Sequence, residues 1–306
     1  MALTLPAFAK INLDLRVLGT RADGNHDLKT IFQTLSLHDT ITFEPRRGPF
    51  EIVCDDPAVP VDRRNLVWKA AALLWSVARP RRRGAPRDVR ITLRKRIPAA
   101  SGLGGGSADA AMALLGLARV WKLSLDLTSL SRLGAELGAD VPFFLVGGTA
   151  LGLGRGDDIY PLADLPKSWV VLVRPAFGVS TADAYQWFDR EPRGGQRPAL
   201  RRPPPAGWPA WAADLRNDLE PAVVRHHPAI GRIRQALVDA GAAAAAMSGS
   251  GSAVFGLFER ADAARRTAAD LARPGWLVVA ASTLSRSGYN RRLSPALAGR
   301  PGSRIR

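Results

Sequence analysis

The chain has 306 residues, 46% hydrophobic and 23% charged, with a formal net charge of +16 and one cysteine. That is enough apolar material for a sizeable core and for two domains of roughly 100–200 residues each, while no apolar run approaches the ~18–20 residues of a membrane span. The lone Cys54 excludes an internal disulfide and a cysteine metal cage, and the only histidines, His26, His38, His226 and His227, lack metal-ligand spacing. The opening MALTLPAFAK has neither the basic start nor the cleavage site of a secretory signal, so a cytoplasmic protein away from the membrane is expected. Nearly all the positive charge is arginine, in RPRRRGAPR, RPALRRPPP and the final SRSGYNRRLSPALAGRPGSRIR. Aromatic residues are not interleaved with it, which favours a solvated basic surface over a nucleic-acid groove.

In chain order, Ala9, Ile11, Leu13, Leu15 and Val17 alternate with Lys10, Asn12, Asp14 and Arg16. This predicts a strand with one core face and one polar face. After a turn at Asp23-Gly24, TIFQTLSLHDTITFEP predicts short strands broken near His38-Asp39, an antiparallel meander. The spacing of Leu66, Ala70, Leu73, Leu74 and Val77 predicts a helix, and Val89, Ile91 and Leu93 predict a strand. Beyond Pro98 come a glycine loop, a helix over about 107–121, and a second helix in LTSLSRLGAEL with Gly138 as its C′ glycine. ADVPFFLVGGTALGLGRGD reads as a loop leading into a tight hairpin, and the proline-bearing connector at 161–167 marks a domain boundary, giving domains 1–162 and 163–306. The second half predicts a strand in WVVLV, a helix in STADAYQWF and an exposed Arg/Pro-rich loop over 191–209. An amphipathic helix AIGRIRQALVDAG, a second glycine-serine loop SGSGS, a strand AVFGLF, a helix RADAARRTAADLA and a strand WLVVAAST follow.

The stretch IPAASGLGGGSADAAMALLG, residues 97–116, carries the chemistry. A strand running through glycines into a helix puts bare backbone N–H groups at the positive end of the helix dipole, which is an anion site. Gly102, Gly104, Gly105 and Gly106 allow close approach, and the Ser101 and Ser107 hydroxyls can add hydrogen bonds to phosphate oxygens. No Gly-Lys-Ser/Thr closes the loop, and Ser107 stands where a dinucleotide fingerprint needs its last glycine, so both of those classes drop out. Phosphoryl transfer also needs a carboxylate and a cation; Asp140, in the loop after Gly138, and Lys10, on the polar face of the first strand, are the candidates. Side by side, they would hold a substrate hydroxyl and neutralise charge on the moving phosphoryl group. Taken singly, Asp140 also fits a loop or capping role and Lys10 a solvated strand lysine.

Three segments in this order, PAFAKINLDL, IPAASGLGGGSADAA and AAAMSGSGSAVFGLF, resemble the GHMP small-molecule kinases. AKINLDLRVLGTRADGNHDLKTIFQTLSLHD, NLVWKAA, GADVPFFLVGG and NDLEP resemble one branch of that family, which acts on a nucleotide-linked sugar alcohol. The resemblance implies an α+β, two-domain kinase: a ribosomal S5 domain 2-like N-terminal domain that binds ATP, and a ferredoxin-like C-terminal domain. It implies a nucleotide site made of Asn65, Lys95, Pro98, Ser101, Gly102, Leu103, Gly104, Gly105, Gly106 and Ser107, with Mg²⁺ arriving on ATP and no dedicated metal ligand. Lys10 and Asp140 match the catalytic pair, Asn12 and Thr181 would hold the acceptor, and His26 with Tyr185 would grip its cytosine. The implied reaction moves the γ-phosphate to the tertiary C2 hydroxyl of a methylerythritol unit carried on cytidine diphosphate. The implied partner is that small molecule, with no nucleic acid and no membrane, the chain being a monomer or weak homodimer. A tyrosine usually precedes the histidine; Asn25 stands there instead, which shifts base stacking onto Tyr185. The branch also commonly has more glycine before the loop and a second serine after it, where this chain has Ser101 and Ala108. The competing readings are a GHMP kinase for homoserine or mevalonate, and an RNA-binding protein using the basic tail.

Overall fold

A computed structural model describes residues 2–78, 84–191, 207–208 and 215–297. The RPRRR run, most of the Arg/Pro-rich loop and the last part of the basic tail lie outside the described residues.

Two sheets organise the chain. In the first, β1 (Leu3–Thr20) and β2 (His26–Pro49) form a long antiparallel hairpin. Its turn carries Gly24 at φ 81°, a conformation glycine adopts without strain. Beyond β2 lie β4 (Arg87–Arg94) and, parallel to it, β3 (Glu51–Cys54). The other end of β2 pairs with β5 (Thr149–Leu153), which hairpins into β6 (Asp158–Pro161). Four helices cover this sheet: α1 (Leu66–Ala78), α2 (Gly105–Val120), α3 (Leu127–Leu137) and α4 (Phe143–Val146). Their apolar stripes, among them Val67, Leu74, Leu114, Leu133 and Phe143, close a core with Leu5, Phe43, Ile91 and Leu93 of the strands. Burial of such side chains contributes about 1.5–3 kcal/mol each.

The second sheet is antiparallel, in the order β11 (Trp276–Ser282), β7 (Trp169–Pro175), β10 (Val254–Phe258), β9 (Ala244–Met247). Helices α5 (Thr181–Asp189), α6 (Glu220–His226) and α7 (Ala229–Asp239) lie between β7 and β9 in the chain, and α8 (Ala261–Asp270) between β10 and β11. That connectivity and strand order make it ferredoxin-like. A third apolar cluster joins the two sheets: Ala9, Ile11 and Leu13 of β1 meet Val170, Leu172, Phe255 and Leu257.

The alternation along β1 holds, yet its polar face is not solvated. Lys10, Asn12 and Asp14 are also buried, because that face looks into a cleft rather than into water. The expected break near His38-Asp39 is a slip in pairing and not the end of a strand: between Phe8 and Lys10 of β1 the partner on β2 jumps from His38 to Thr34. β2 runs through it, since the buried Asp39 carboxylate takes the N–H groups of Arg96 and Ile97 at 2.5 and 2.8 Å. Gly138 is not a left-handed C′ glycine: its φ is 170°, extended backbone open to any residue. The expected 161–167 boundary coincides with the end of the first sheet, but the chain returns to that sheet twice. The short strand β8 (Arg216–Asn217) pairs in parallel with β1. The stretch read as basic tail forms α9 (Arg286–Leu297), whose Tyr289 and Leu293 enter the first core.

Candidate active site

A cleft of about 1080 Å³ opens between the phosphate-loop side of the first sheet and the loops of the second. α2 begins at Gly105 behind Gly104, a left-handed N-cap at φ 74° and ψ 19° with no side-chain cap. The first N–H groups of the helix are therefore left without an intrahelical partner, at its positive end. A Cβ at Gly104 would lie 2.6 Å from the Phe144 ring, and one at Gly102 would lie 2.0 Å from the Ser248 carbonyl oxygen. Both glycines also sit at positive φ, so glycine is demanded twice over at each. Pro98, Ser101, Gly102, Gly104, Gly105, Gly106 and Ser107 all line the cleft. Leu103 points into the core instead, and its carbonyl accepts the Lys10 N–H at 3.0 Å, tying the loop to β1. Ser101 spends its hydroxyl within the loop, donating to the Pro98 carbonyl at 2.6 Å.

Lys10 and Asp140 meet. The Lys10 ammonium, on a side chain only 4% exposed, lies 3.2 Å from Asp140 Oδ2, whose side chain is 32% exposed and thus reachable from the cleft. Lys10 also donates to Asn12 Oδ1 at 2.6 Å, and Asn12 Nδ2 donates to Thr30 Oγ1 at 2.8 Å. Thr30 in turn donates to the Asp14 carbonyl at 2.7 Å. Lys10 and Asn12 share the β1 face by the two-residue period, and Thr30 faces them from β2 beside a register shift between Asn12 and Asp14. Lys10 is thus held against Asp140 by a chain of hydrogen bonds through Asn12 and Thr30, a fixed placement of the kind that pre-organised proton and phosphoryl transfer require.

At the other end, His26 stacks on Tyr185 with ring centroids 4.6 Å apart, and its Nε2 lies 2.8 Å from Asp189 Oδ1. Burial first, and then the negative charge of Asp140, push the Tyr185 phenol upward, so this aromatic end adjoins the Asp140 carboxylate. Thr181, the first residue of α5, hydrogen-bonds Ser250 of the second glycine-serine loop at 3.0 Å. That loop backs the first: Ser248 donates to the Gly102 carbonyl at 3.0 Å, and the Ala253 N–H to Ser101 at 3.0 Å.

Asn65 and Lys95 line the cleft, but their polar ends are engaged elsewhere. Asn65 caps α1, accepting the Val67 N–H at 2.8 Å and donating to the Pro60 carbonyl at 2.6 Å. Lys95 bridges two buried carboxylates, Asp39 and, at 2.5 Å, Asp109 of α2. Burial works against the lysine's charge, but Asp109 and Asp39 outweigh it and leave its pKa raised. Sequence reading missed Asp39 and Asp109 as a pair, because nothing local announces that residues 70 apart in the chain share one cation.

Two families match the chain: GHMP kinases N terminal domain over residues 65–148, and GHMP kinases C terminal over residues 198–275. A 4-diphosphocytidyl-2-C-methyl-D-erythritol kinase of Moorella thermoacetica is 47% identical over 280 residues, which cover 88% of this chain and 94% of that protein. One from Syntrophus aciditrophicus is 42% identical, covering 88% and 95%. A crystal structure of 4-(cytidine 5'-diphospho)-2C-methyl-D-erythritol kinase superposes with a TM-score of 0.75 at 37% identity, covering 92% of this chain and 99% of that one. A homoserine kinase from Cytophaga hutchinsonii, at 19% identity and a TM-score of 0.62, shares the fold alone. The chain therefore belongs to the GHMP kinases, and within them to the 4-diphosphocytidyl-2-C-methyl-D-erythritol kinases.

Proposed function

We infer that this protein is an ATP-dependent kinase that phosphorylates the C2 hydroxyl of 4-diphosphocytidyl-2-C-methyl-D-erythritol, a step of isoprenoid precursor synthesis. The observation that carries the chemistry is the 3.2 Å Lys10–Asp140 pair beside a glycine-built helix start. In this reading the N-terminal domain, residues 1–162, holds ATP. Its triphosphate lies along 101–107 on the N–H groups that open α2, where Gly102 and Gly104 let the loop pack against Ser248 and Phe144. Adenine is gripped by Val59, Pro60 and Leu66 around Asn65 more than by side-chain hydrogen bonds, since Asn65 and Lys95 are engaged. Mg²⁺ arriving on the nucleotide would supply charge neutralisation at its phosphates.

The acceptor lies between the domains. Its C2 hydroxyl sits at Asp140, which takes or aligns the proton, while Lys10 faces the transferring phosphoryl oxygens. Asn12 holds Lys10 and offers its own polar edge to the acceptor, and Thr181 closes the site from α5. Cytosine stacks at Tyr185, with His26 reading its edge; Asn25, part of the Arg21–Asn25 turn, lines the same end but supplies no ring. The partner is this small molecule, and no helix among the described residues is long and apolar enough to cross a membrane. We also place the protein in the cytoplasm, as a monomer or weak homodimer.

The test is ADP release by the purified protein with ATP, Mg²⁺ and, in turn, the diphosphocytidyl acceptor, homoserine and mevalonate. Turnover with the first alone is expected. Turnover with homoserine or mevalonate would reassign the acceptor, and salt-sensitive RNA binding without turnover would replace the kinase reading altogether.

A further inference from the structure

We propose that Asn217 is a positioning residue for phosphoryl transfer, acting through the second glycine-serine loop on Lys10. The proposal rests on the kinase reading above. Asn217 is 1% exposed and lies on β8, and its amide is fully engaged by backbone. Its Nδ2 donates to the Met247 carbonyl at 2.8 Å and to the Gly249 carbonyl at 2.7 Å, and its Oδ1 accepts the Leu219 N–H at 3.0 Å. Three residues on, Glu220 accepts the Met247 N–H at 2.9 Å. One short segment therefore pins both ends of the Met247 peptide and the carbonyl two residues beyond it.

The same segment grips β1. Asn217 pairs with Leu15, the Asp218 N–H donates to the Leu15 carbonyl at 2.9 Å, and Asp218 Oδ2 accepts the Val17 N–H at 3.0 Å. The loop that Asn217 holds then touches the chemistry directly. A Cβ at Gly249 would lie 3.3 Å from both Lys10 Nζ and Asn12 Oδ1, and Ser248 lies on Gly102 as described. Asn217 thus fixes the distance between the strand that carries Lys10 and the loop that walls it in. Without the amide, two buried carbonyls lose their donor, which neither loop can make good from water. Lys10 then loses the wall that sets its place against Asp140, while the helix N–H groups that bind ATP stay as they were.

The experiment compares wild type, N217A and N217D in steady-state turnover of the diphosphocytidyl acceptor between about pH 6 and pH 8, with thermal midpoints followed in parallel. N217A is expected to lose about 10–100-fold in kcat, the scale of a sub-ångström to ångström misplacement, with KM for ATP within about 2-fold of wild type. N217D keeps the shape but, when ionised, points a carboxylate at two carbonyl oxygens; once protonated it can return one hydrogen bond. The charged groups around it are Glu220 with Arg234, Asp218 with Arg216, and across the loop Lys10 with Asp140. Its kcat relative to wild type is therefore expected to rise as pH falls, measured well below the thermal midpoints of both proteins at every pH so that loss of folded enzyme does not enter. Wild-type kcat in N217A, a raised KM for ATP with kcat kept, or an N217D defect equal at every pH would overturn the proposal. If N217A does not fold, N217S, whose hydroxyl keeps one of the two bonds, takes its place with the same expected split. A wild type inactive on this acceptor would instead overturn the kinase reading on which the proposal stands.

Discussion

Asp140 combines two properties that rarely coincide: a fixed cation at 3.2 Å and a side chain open enough to reach a substrate. Asp140→Asn keeps the size of the side chain and an oxygen for Lys10, and removes the group that takes a proton. We expect kcat to fall by about 10²–10⁴-fold while KM for ATP moves by no more than about 3-fold, measured by steady-state ADP release. Unchanged turnover would remove Asp140 from the mechanism, and lost ATP binding would make it structural. Lys10, Asn12 and Asp140 were legible in the sequence from strand alternation, an unassigned loop carboxylate and the family resemblance. Thr30, which orients Asn12, was not. Its place opposite β1 is set by register shifts after Asn12 and after Val17, and a two-residue pattern cannot show where a strand slips.

The elements that flank the phosphate loop are tied by a charge arrangement that local patterns do not reveal. β4 ends at Arg94, the loop follows, and α2 begins at Gly105; Lys95 at one end pairs directly with Asp109 at the other and with Asp39 of β2. Asp39 accepts two backbone N–H groups besides the lysine, whereas Asp109 has the lysine alone and its Oδ1 has no partner among the described residues. Burial, only partly offset by Lys95, pushes Asp109 up to about 7. The native state then holds a proton that the unfolded chain releases near pH 4, and this group makes stability decline as pH rises from about 4 to about 7. Asp109→Asn removes that proton without removing the hydrogen bond to Lys95. Urea unfolding at several pH values should show the wild type losing stability relative to the variant across this window; a difference that stays flat, or runs the other way, would place the proton elsewhere. Helices were the better-read elements because α1, α7 and α8 carry their period in local sequence. β9, written AAAM, carries no β-branched or aromatic signal and becomes a strand only because β10 pairs with it.

At the scale of the whole molecule, the chain crosses the border read at residues 161–167 in both sheet and core, since β8 joins the first sheet and α9 the first core. The change there from hairpin glycines to a proline connector is the local signal of that border; the return of the chain carries none. Among the described side chains of α9, Tyr289 and Leu293 form a buried pair one turn apart amid arginine, too thin a stripe to distinguish from a solvated tail. Yet Tyr289 is 1% exposed, stands 5.4 Å from the Phe8 ring, and donates its hydroxyl to the Phe144 carbonyl. Arg286, one turn earlier, donates to the carbonyls of Thr149 and Leu162 at 2.6 and 3.1 Å. A segment from beyond the second sheet therefore completes the first core, and we expect the two halves to unfold as one cooperative unit. Tyr289→Ala should cost about 3–5 kcal/mol, the range for deleting a buried aromatic ring, and should lower the midpoint without splitting the transition. Tryptophan fluorescence and far-ultraviolet circular dichroism, followed through the same urea titration, should move together in both proteins. A variant that unfolds in two separated steps would mean that each sheet holds a core of its own, and a cost below about 1 kcal/mol would mean that α9 merely rests on the first one.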